Sequence, residues 1–242
     1  MIARTTAVIE PGGVLGRLTC EPPLTLRQVR SDEPGCCQIR LVGTAAGPLA
    51  GDDLALSLQL RAGARASLQA TGASIAQGRG GGGPAALLMR AELADGAALH
   101  AEPGALIVCG GSRVDVSVDV ALGTDAVLDW RELIVLGRSG ERSGNATLRW
   151  NVTRLGRPVL RQFVDLSDPA LTGWAGMTAH RRVLGCALIA GPALASRTIV
   201  ESATAVAQFI DNQTVLATVL STDAATAKRD LSELCDQIYQ IG

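Results

Sequence analysis

The stretch "VDVSVDVALGTDAVLDW" (Val114–Trp130) decides how this chain folds. Val114, Val116, Val118 and Val120 alternate with Asp115, Ser117, Asp119 and Ala121, so one face of an extended segment is apolar and the other wet. A small turn at Gly123 follows, and then the pattern resumes toward Trp130. The same sentence recurs in "LALSLQLRAGARASLQA" (Leu54–Ala70) around Gly63 and in "ALLMRAELADGAALHAE" (Ala86–Glu102) around Gly96. It recurs again in "ATLRWNVTRLGRPVLRQFVDL" (Ala146–Leu166) around Gly156. Glycine suits such turns because it adopts positive φ without a steric penalty. Each unit therefore reads as a hairpin, and recurrence every ~30 residues reads as units that hide their apolar faces by stacking. The expected fold is mainly β: stacked antiparallel hairpins in a β-helix-like, layered scaffold, with a C-terminal helix and a smaller mixed α+β segment. No helical pattern separates the strands, which argues against an α/β enzyme.

Residues 1–166 are assigned to the repeated hairpin scaffold and 167–242 to the smaller α+β segment, the two continuous as one domain. Leu166–Pro192, with Pro169, Gly173, Gly176 and Gly185, is expected to cross over as a loop. "TAVAQFIDNQTVLATVL" (Thr204–Leu220) reads as a hairpin centred on Asp211-Asn212. The residues after it read as a helix capped by Ser221 or Thr222, with Leu231, Leu234 and Ile238 on one face, closing an open sheet edge. The glycine tract Gly78–Ala85 lacks the Lys-Ser/Thr ending of a phosphate cradle and reads as a mobile loop.

The chain has 242 residues, enough for a full core, and a net charge of −1 with no long single-sign run. Aromatics are 2% of residues, which leaves almost nothing to stack on bases and excludes a nucleic-acid partner of the usual kind. No apolar run reaches the ~20 residues of a membrane span, and "MIARTTAVIEPGG" lacks the apolar block of a signal peptide, so the expected place is the cytoplasm. A mean hydropathy of +0.25 implies apolar surface that a partner covers, and poor solubility alone. The six cysteines form no C-x-x-C pair and read as small apolar residues, with adjacent Cys36-Cys37 as the pair that could meet a soft metal.

Catalytic sets are missing. Only His100 and His180 are present, and G-x-S-x-G is absent, so neither a hydrolytic triad nor a multi-histidine metal site can be assembled. His180, beside Arg181 and Arg182, reads as a surface residue, and His100 as a hydrogen-bonded strand residue. The chain is read as a non-enzyme. What remains are carboxylates at strand ends, above all in "DWRELIVLGRSGE" (Asp129–Glu141). Asp129 and Glu132, three positions apart, face opposite sides of a strand. Glu132 beside the run Leu133–Leu136 needs a partner or a cation. It is either locked by an arginine from another strand or lines a polar passage. Arg138 cannot serve within the same strand, since six residues of extended chain span ~20 Å.

At these residues the chain resembles the urease accessory protein family UreD, also called UreH. The matching segments are "PPLTLRQ" (Pro22–Gln28), "AAGPLAGDD" (Ala45–Asp53), "GAS" (Gly72–Ser74), "WRELIVLGRSGE" (Trp130–Glu141) and "GRPVLRQFVDL" (Gly156–Leu166). Arg131 stands between the tryptophan and the acid, and the glycine tract replaces the family's usual loop after the "GAS" step. The resemblance implies a β-rich, helically stacked chaperone of metallocentre assembly that acts with UreF and the GTPase UreG, in an accessory complex that can be dimeric. That complex docks on apo-urease and delivers nickel through a water-filled tunnel. No cofactor would be stably bound; nickel would be in transit. Asp52, Ser74 and Glu132 are the candidate tunnel-wall residues, and Gly137, Arg138 and Glu141 the candidate loop residues. The rival readings are a purely structural adaptor in the same complex and a β-helix carbohydrate-processing protein.

Overall fold

The computed structural model of the chain describes residues 1–78, 82–192, 200–202 and 204–240. The chain opens with β1 (Ile2–Glu10), β2 (Val14–Thr19), β3 (Leu24–Val29) and β4 (Cys36–Gly43). A first coil follows, of β5 (Asp53–Leu60), β6 (Arg65–Ala70) and β7 (Ser74–Ala76). A second contains β8 (Ala85–Leu93), β9 (Ala98–Glu102) and β10 (Ala105–Val108), and a third β11 (Arg113–Leu122) and β12 (Val127–Leu136). β13 (Asn145–Arg154) and β14 (Arg157–Asp165) end the array. Beyond them lie α1 (Pro169–Thr172), β15 (Val183–Ala190), β16 (Val200–Glu201), β17 (Ala205–Asp211), β18 (Thr214–Ser221) and α2 (Ala224–Gln240).

The mainly β, stacked architecture and the C-terminal helix are as the repeat predicts, but the unit that repeats is an arch and not a hairpin. The strands on either side of Gly63, Gly96 and Gly123 do not pair with each other. Each unit sends its first strand to one sheet, in the order β14-β13-β11-β8-β5-β1-β2, and its second to an opposing sheet. Pairing is instead parallel between successive coils: Leu54 with Leu87, Leu87 with Val116, and Val116 with Leu148. This is a solenoid with a strand on each face of every coil. Only the last glycine turn, Leu155-Gly156 with both residues at positive φ, joins a true antiparallel pair, β13 and β14. The β17–β18 hairpin also forms as expected.

The interior between the sheets is a set of aliphatic stacks. Leu54, Leu56, Leu58 and Leu60 stand beside Leu87, Met89, Ala91 and Leu93, and those beside Val116, Val118, Val120 and Leu122. Facing them from the second sheet are Leu68, Leu99, Leu106, Leu128, Trp130 and Ile134.

The Leu166–Pro192 segment is not a loop throughout: "VLGCALIA" is β15, which pairs antiparallel with β12 on one side and β18 on the other. Cys186 and Leu188 join the solenoid core, while Ala187 and Ile189 pack under α2. A strand buried on both faces carries no alternation. The 167–242 segment therefore extends the second sheet. Leu231, Leu234 and Ile238 are buried as expected, but α2 covers the outer face of β15 and β18 and does not close an edge. Its cap is Asp223, whose Oδ1 accepts from the Thr226 N–H at 2.9 Å. The loop read at Gly78–Ala85 lies partly outside the described residues, at 79–81.

Two interruptions of the second sheet position the site. β6 and β7 would be one strand but for Thr71–Ala73, and β9 and β10 one strand but for Pro103-Gly104, while β12 runs unbroken beside both β9 and β10. Gly104, at φ +94°, has no room for a side chain: a Cβ there would lie 2.8 Å from the Gly72 carbonyl oxygen. The two bends cross at backbone contact, and only glycine allows it.

Candidate functional site

Three cavities abut at these bends. The innermost, about 20 Å³, is bounded by Ser74, Pro103, Gly104, Glu132 and aliphatic residues including Leu87 and Val116. A second of about 230 Å³ shares Ser74 and Pro103 with it and opens along Gly43–Gly47 and Thr71–Ala73, a wall of small residues and backbone. The third, about 500 Å³, shares Gly104, Ala105 and Leu133 with the innermost and lies between the outer face of the second sheet and α2.

Glu132 is the interior's carboxylate. It sits on the inward face of β12 with 5% of its surface exposed. Its Oε2 accepts a 3.0 Å hydrogen bond from the indole Nε1–H of Trp150 on β13, in the opposite sheet. Burial pushes the carboxyl up to about 7, against the opposing pull of the Trp130 and Trp150 indoles. Trp130 lies near enough to act on the charge, yet its buried Nε1–H meets no hydrogen-bond partner. Its direct cross-strand partner on β15 is Cys186, whose thiol is pushed up to about 12 by burial and then by the Glu132 charge. Among the described residues no arginine locks Glu132; a tryptophan donor takes that place.

The structure brings Ser74 and Glu132 to one cavity and leaves Asp52 elsewhere. Asp52 Oδ1 accepts from the Met1 ammonium at 2.7 Å and Oδ2 from the Leu49 N–H at 2.8 Å, and the residue is on none of the three cavity walls. It ties the Leu49–Asp52 turn to the start of β1. Gly137, Arg138 and Glu141 do come together. Glu141 accepts from the Arg138 side chain at 2.8 and 3.1 Å and from its backbone N–H at 3.2 Å, which holds the carboxyl at about 2. Arg182 donates to the carbonyls of Leu136, Arg138 and Glu141, closing the loop.

Asp129 faces away from Glu132, as the three-residue offset requires, and anchors a second polar cluster beneath α2. Arg131 grips it with two bonds of 2.8 and 2.6 Å, His100 Nδ1 lies 3.2 Å away, and the Tyr239 hydroxyl donates at 3.2 Å. His100 Nε2 is 3.4 Å from Glu102, and Lys228 is 3.2 Å from the same carboxyl. Contact with Asp129, then Glu102, raises the imidazole to about 9, so His100 is a cation at neutral pH. Burial alone would raise Asp129, but His100 and Arg131 bring it down to about 2. His100 meets its two carboxylates with opposite nitrogens, and among the described residues no group of three or more His, Cys, Asp or Glu converges as a metal cage. Cys36 and Cys37 are successive residues of one strand, so their side chains leave on opposite faces; Cys37 lies in the core. His180 is exposed.

Sequence reasoning missed Trp150, Cys186 and the cationic residues around the 500 Å³ cavity. The Pro103-Gly104 dipeptide, a breaker inside an alternating run, was the available signal for the bend. No described helix is long and apolar enough to cross a membrane.

Residues 6–240 match the family described as "UreD urease accessory protein". The chain is 34% identical over 232 residues to the urease accessory protein UreD 1 of Saccharopolyspora erythraea, covering 91% of this chain and 87% of that one. It is 32% identical over 246 residues to UreD 3 of Streptomyces griseus, covering 96% of both. With the UreD protein of Frankia alni it shares 36% identity over 218 residues, 82% of this chain and 73% of the relative.

Proposed function

This chain belongs to the UreD urease accessory protein family, and from that premise we propose that it assembles with UreF and UreG on apo-urease in the cytoplasm and passes nickel toward the urease active site. Nickel is cargo here, with Glu132 and Ser74 on its path. The observation that carries this reading is a buried carboxyl near pKa 7 on the wall of a cavity at a break in the sheet. A carboxylate with one hydroxyl nearby is too poor a ligand set to retain a divalent ion, and conduction needs weak holding. The ion must also displace the proton that burial favours on Glu132, so entry is coupled to proton release.

Electrostatics selects the mouth. The 500 Å³ cavity is lined by Arg40, Arg131 and Lys228 with only Glu102 against them. One uncompensated positive charge ~8 Å away repels a divalent cation by roughly 4 kcal/mol at an effective dielectric constant of ~20, before salt screening. Among the described residues, no charged side chain lies on the wall of the 230 Å³ cavity. The route therefore runs from that cavity past Ser74 to Glu132. Asp52 serves this path only by holding the turn that frames it.

Glu132→Ala, co-expressed with the urease subunits and the other accessory proteins, is expected to lower the nickel content of urease while UreF still co-purifies. Full nickel loading would remove Glu132 from the path. A second reading, the structural adaptor, is favoured by the size of the innermost cavity. Its 20 Å³ holds about one water, whereas six waters around an ion need roughly 60–90 Å³ of the same kind of space. Ser74→Leu separates the two: it blocks loading if nickel passes here and changes nothing if the chain only holds its partners together.

A further inference from the structure

We propose that the 500 Å³ cavity between the second sheet and α2 is a binding site for a small multivalent anion, one carrying two or more carboxylate or phosphate groups. Its charge is unbalanced. Its lining sets three cations, Arg40, Arg131 and Lys228, against one carboxylate, Glu102, and behind Arg131 the His100–Asp129 contact adds one charge of each sign. Both carboxylates are already shared, Asp129 between Arg131 and His100, and Glu102 among His100, Lys228 and Arg131. Arg40 donates to neutral partners, the side-chain amides of Gln69 and Gln38, and makes no salt bridge among the described residues.

The arrangement also favours a ligand with more than one acidic group. Arg40, Gln69 and Glu102 form one cross-strand row over β4, β6 and β9, and Arg131 lies on the next strand, 3.8 Å from Glu102. Arg40 and Arg131 are thus three strand spacings apart, ~14 Å between backbones. A ligand with an acidic group at each end can engage Arg40 at one side and Arg131 and Lys228 at the other, and the lining's excess of positive charge suits two such groups. The cavity volume suits a small molecule. Thr71 and Gln69 on the same wall supply neutral hydrogen-bonding groups for its remaining oxygens. Arg131 is held rigid by Asp129 with its side chain 12% exposed, so the site needs little ordering on binding. This site is independent of the nickel path, and either can fail without the other.

Isothermal titration of the full chain at neutral pH and low salt, with citrate and separately with pyrophosphate, tests it. Saturable one-to-one binding is expected, weakening as salt rises. Arg40→Gln and Lys228→Gln should each weaken it roughly ten- to hundredfold, the loss of one charge-assisted hydrogen bond. Both leave the Arg131–Asp129 clamp in place, and Lys228 is an exposed helix residue whose removal does not threaten the fold. Arg61→Gln, at the distant Gly63 turn, should bind like the parent. Absence of saturable binding by both anions at roughly millimolar concentration overturns the proposal. So does parental affinity in both Arg40→Gln and Lys228→Gln.

Discussion

Replacing Glu132 by Gln removes the interior's ionisable group while keeping its shape and an oxygen for the Trp150 indole. The magnitude follows from linkage. The carboxyl titrates at 4.5 in its ordinary state and at about 7 in the folded chain. Below pH 4.5 it is protonated whether the chain is folded or not, and it contributes nothing to the pH dependence. Between 4.5 and 7 the folded chain holds the proton that the unfolded chain has released, so stability falls as pH rises. Above 7 the full cost of a buried charge is present, roughly 3 kcal/mol. Glu132→Gln lacks this loss. Part of this loss is already present at pH 5, so the variant's melting temperature relative to the parent should rise from pH 5 to pH 8 by roughly 5–10 °C, at ~2–4 °C per kcal/mol for a chain of this size. The glutamine brings an extra N–H that can go unpaired near Cys186, and that offset is the same at every pH. The diagnostic is thus the slope of the difference and not its sign at one pH. His100, raised to about 9, also titrates on the alkaline side, but it does so in both proteins and cancels. Melts of parent and variant followed by near-ultraviolet circular dichroism across this range give the answer. Parallel curves would show that Glu132 is not a neutral-range acid, and the proton-coupled entry proposed for nickel would fall with it.

Trp150→Phe removes the one observed hydrogen bond to the Glu132 charge. Such bonds are worth roughly 1.5–3 kcal/mol, so the midpoint of the pH-dependent stability loss should move upward by about one to two units, read from the same melts. Gly137→Ala places a Cβ 2.9 Å from the Glu141 carbonyl oxygen at a residue with φ +80°. Backbone on one side and the Arg182 guanidinium on the other leave no retreat, so a loss of roughly 1–3 kcal/mol is expected, with faster proteolysis in the 137–144 loop.

The stacked β architecture was legible because parallel, in-register coils must repeat both their alternation and their turn glycines. Whether a glycine turn folds a strand back beside its neighbour or across to an opposing sheet was not legible, since alternation and positive φ serve both. The distinction lies in which residues stack: Val116 lies beside Leu87 and Leu148, each one coil away, and not beside a residue across Gly123. β15 escaped notice for a different reason. Packed on the solenoid core through Cys186 and Leu188 and on α2 through Ala187 and Ile189, it has no wet face to mark it as a strand. Among the carboxylates, Glu132 stood out as an acid against an aliphatic run, and it is indeed buried in the interior. Asp52 looked equivalent but is held by Met1, a partner fifty-one positions away that no local pattern reveals.

The bends at Thr71–Ala73 and Pro103-Gly104 join these observations physically. A solenoid sheet is continuous unless something interrupts its ladder, and unpaired backbone at an interruption is costly if buried dry. Large apolar side chains would seal such a gap. Here the gap is framed by Gly72, Ala73, Gly104 and Ala105, which cannot fill it, and cavities lie on both sides. Among the described residues, the side reached past Ser74 carries no charged side chain, and it leads to the carboxyl where a cation could replace a proton. The other side, under α2, gathers cations beyond what its two acids can neutralise. A divalent cation and a multivalent anion would thus be sorted to opposite sides of the same interruption by charge alone. Wall substitutions that alter charge on one side, such as Lys228→Gln, should leave the chemistry of the other side unchanged.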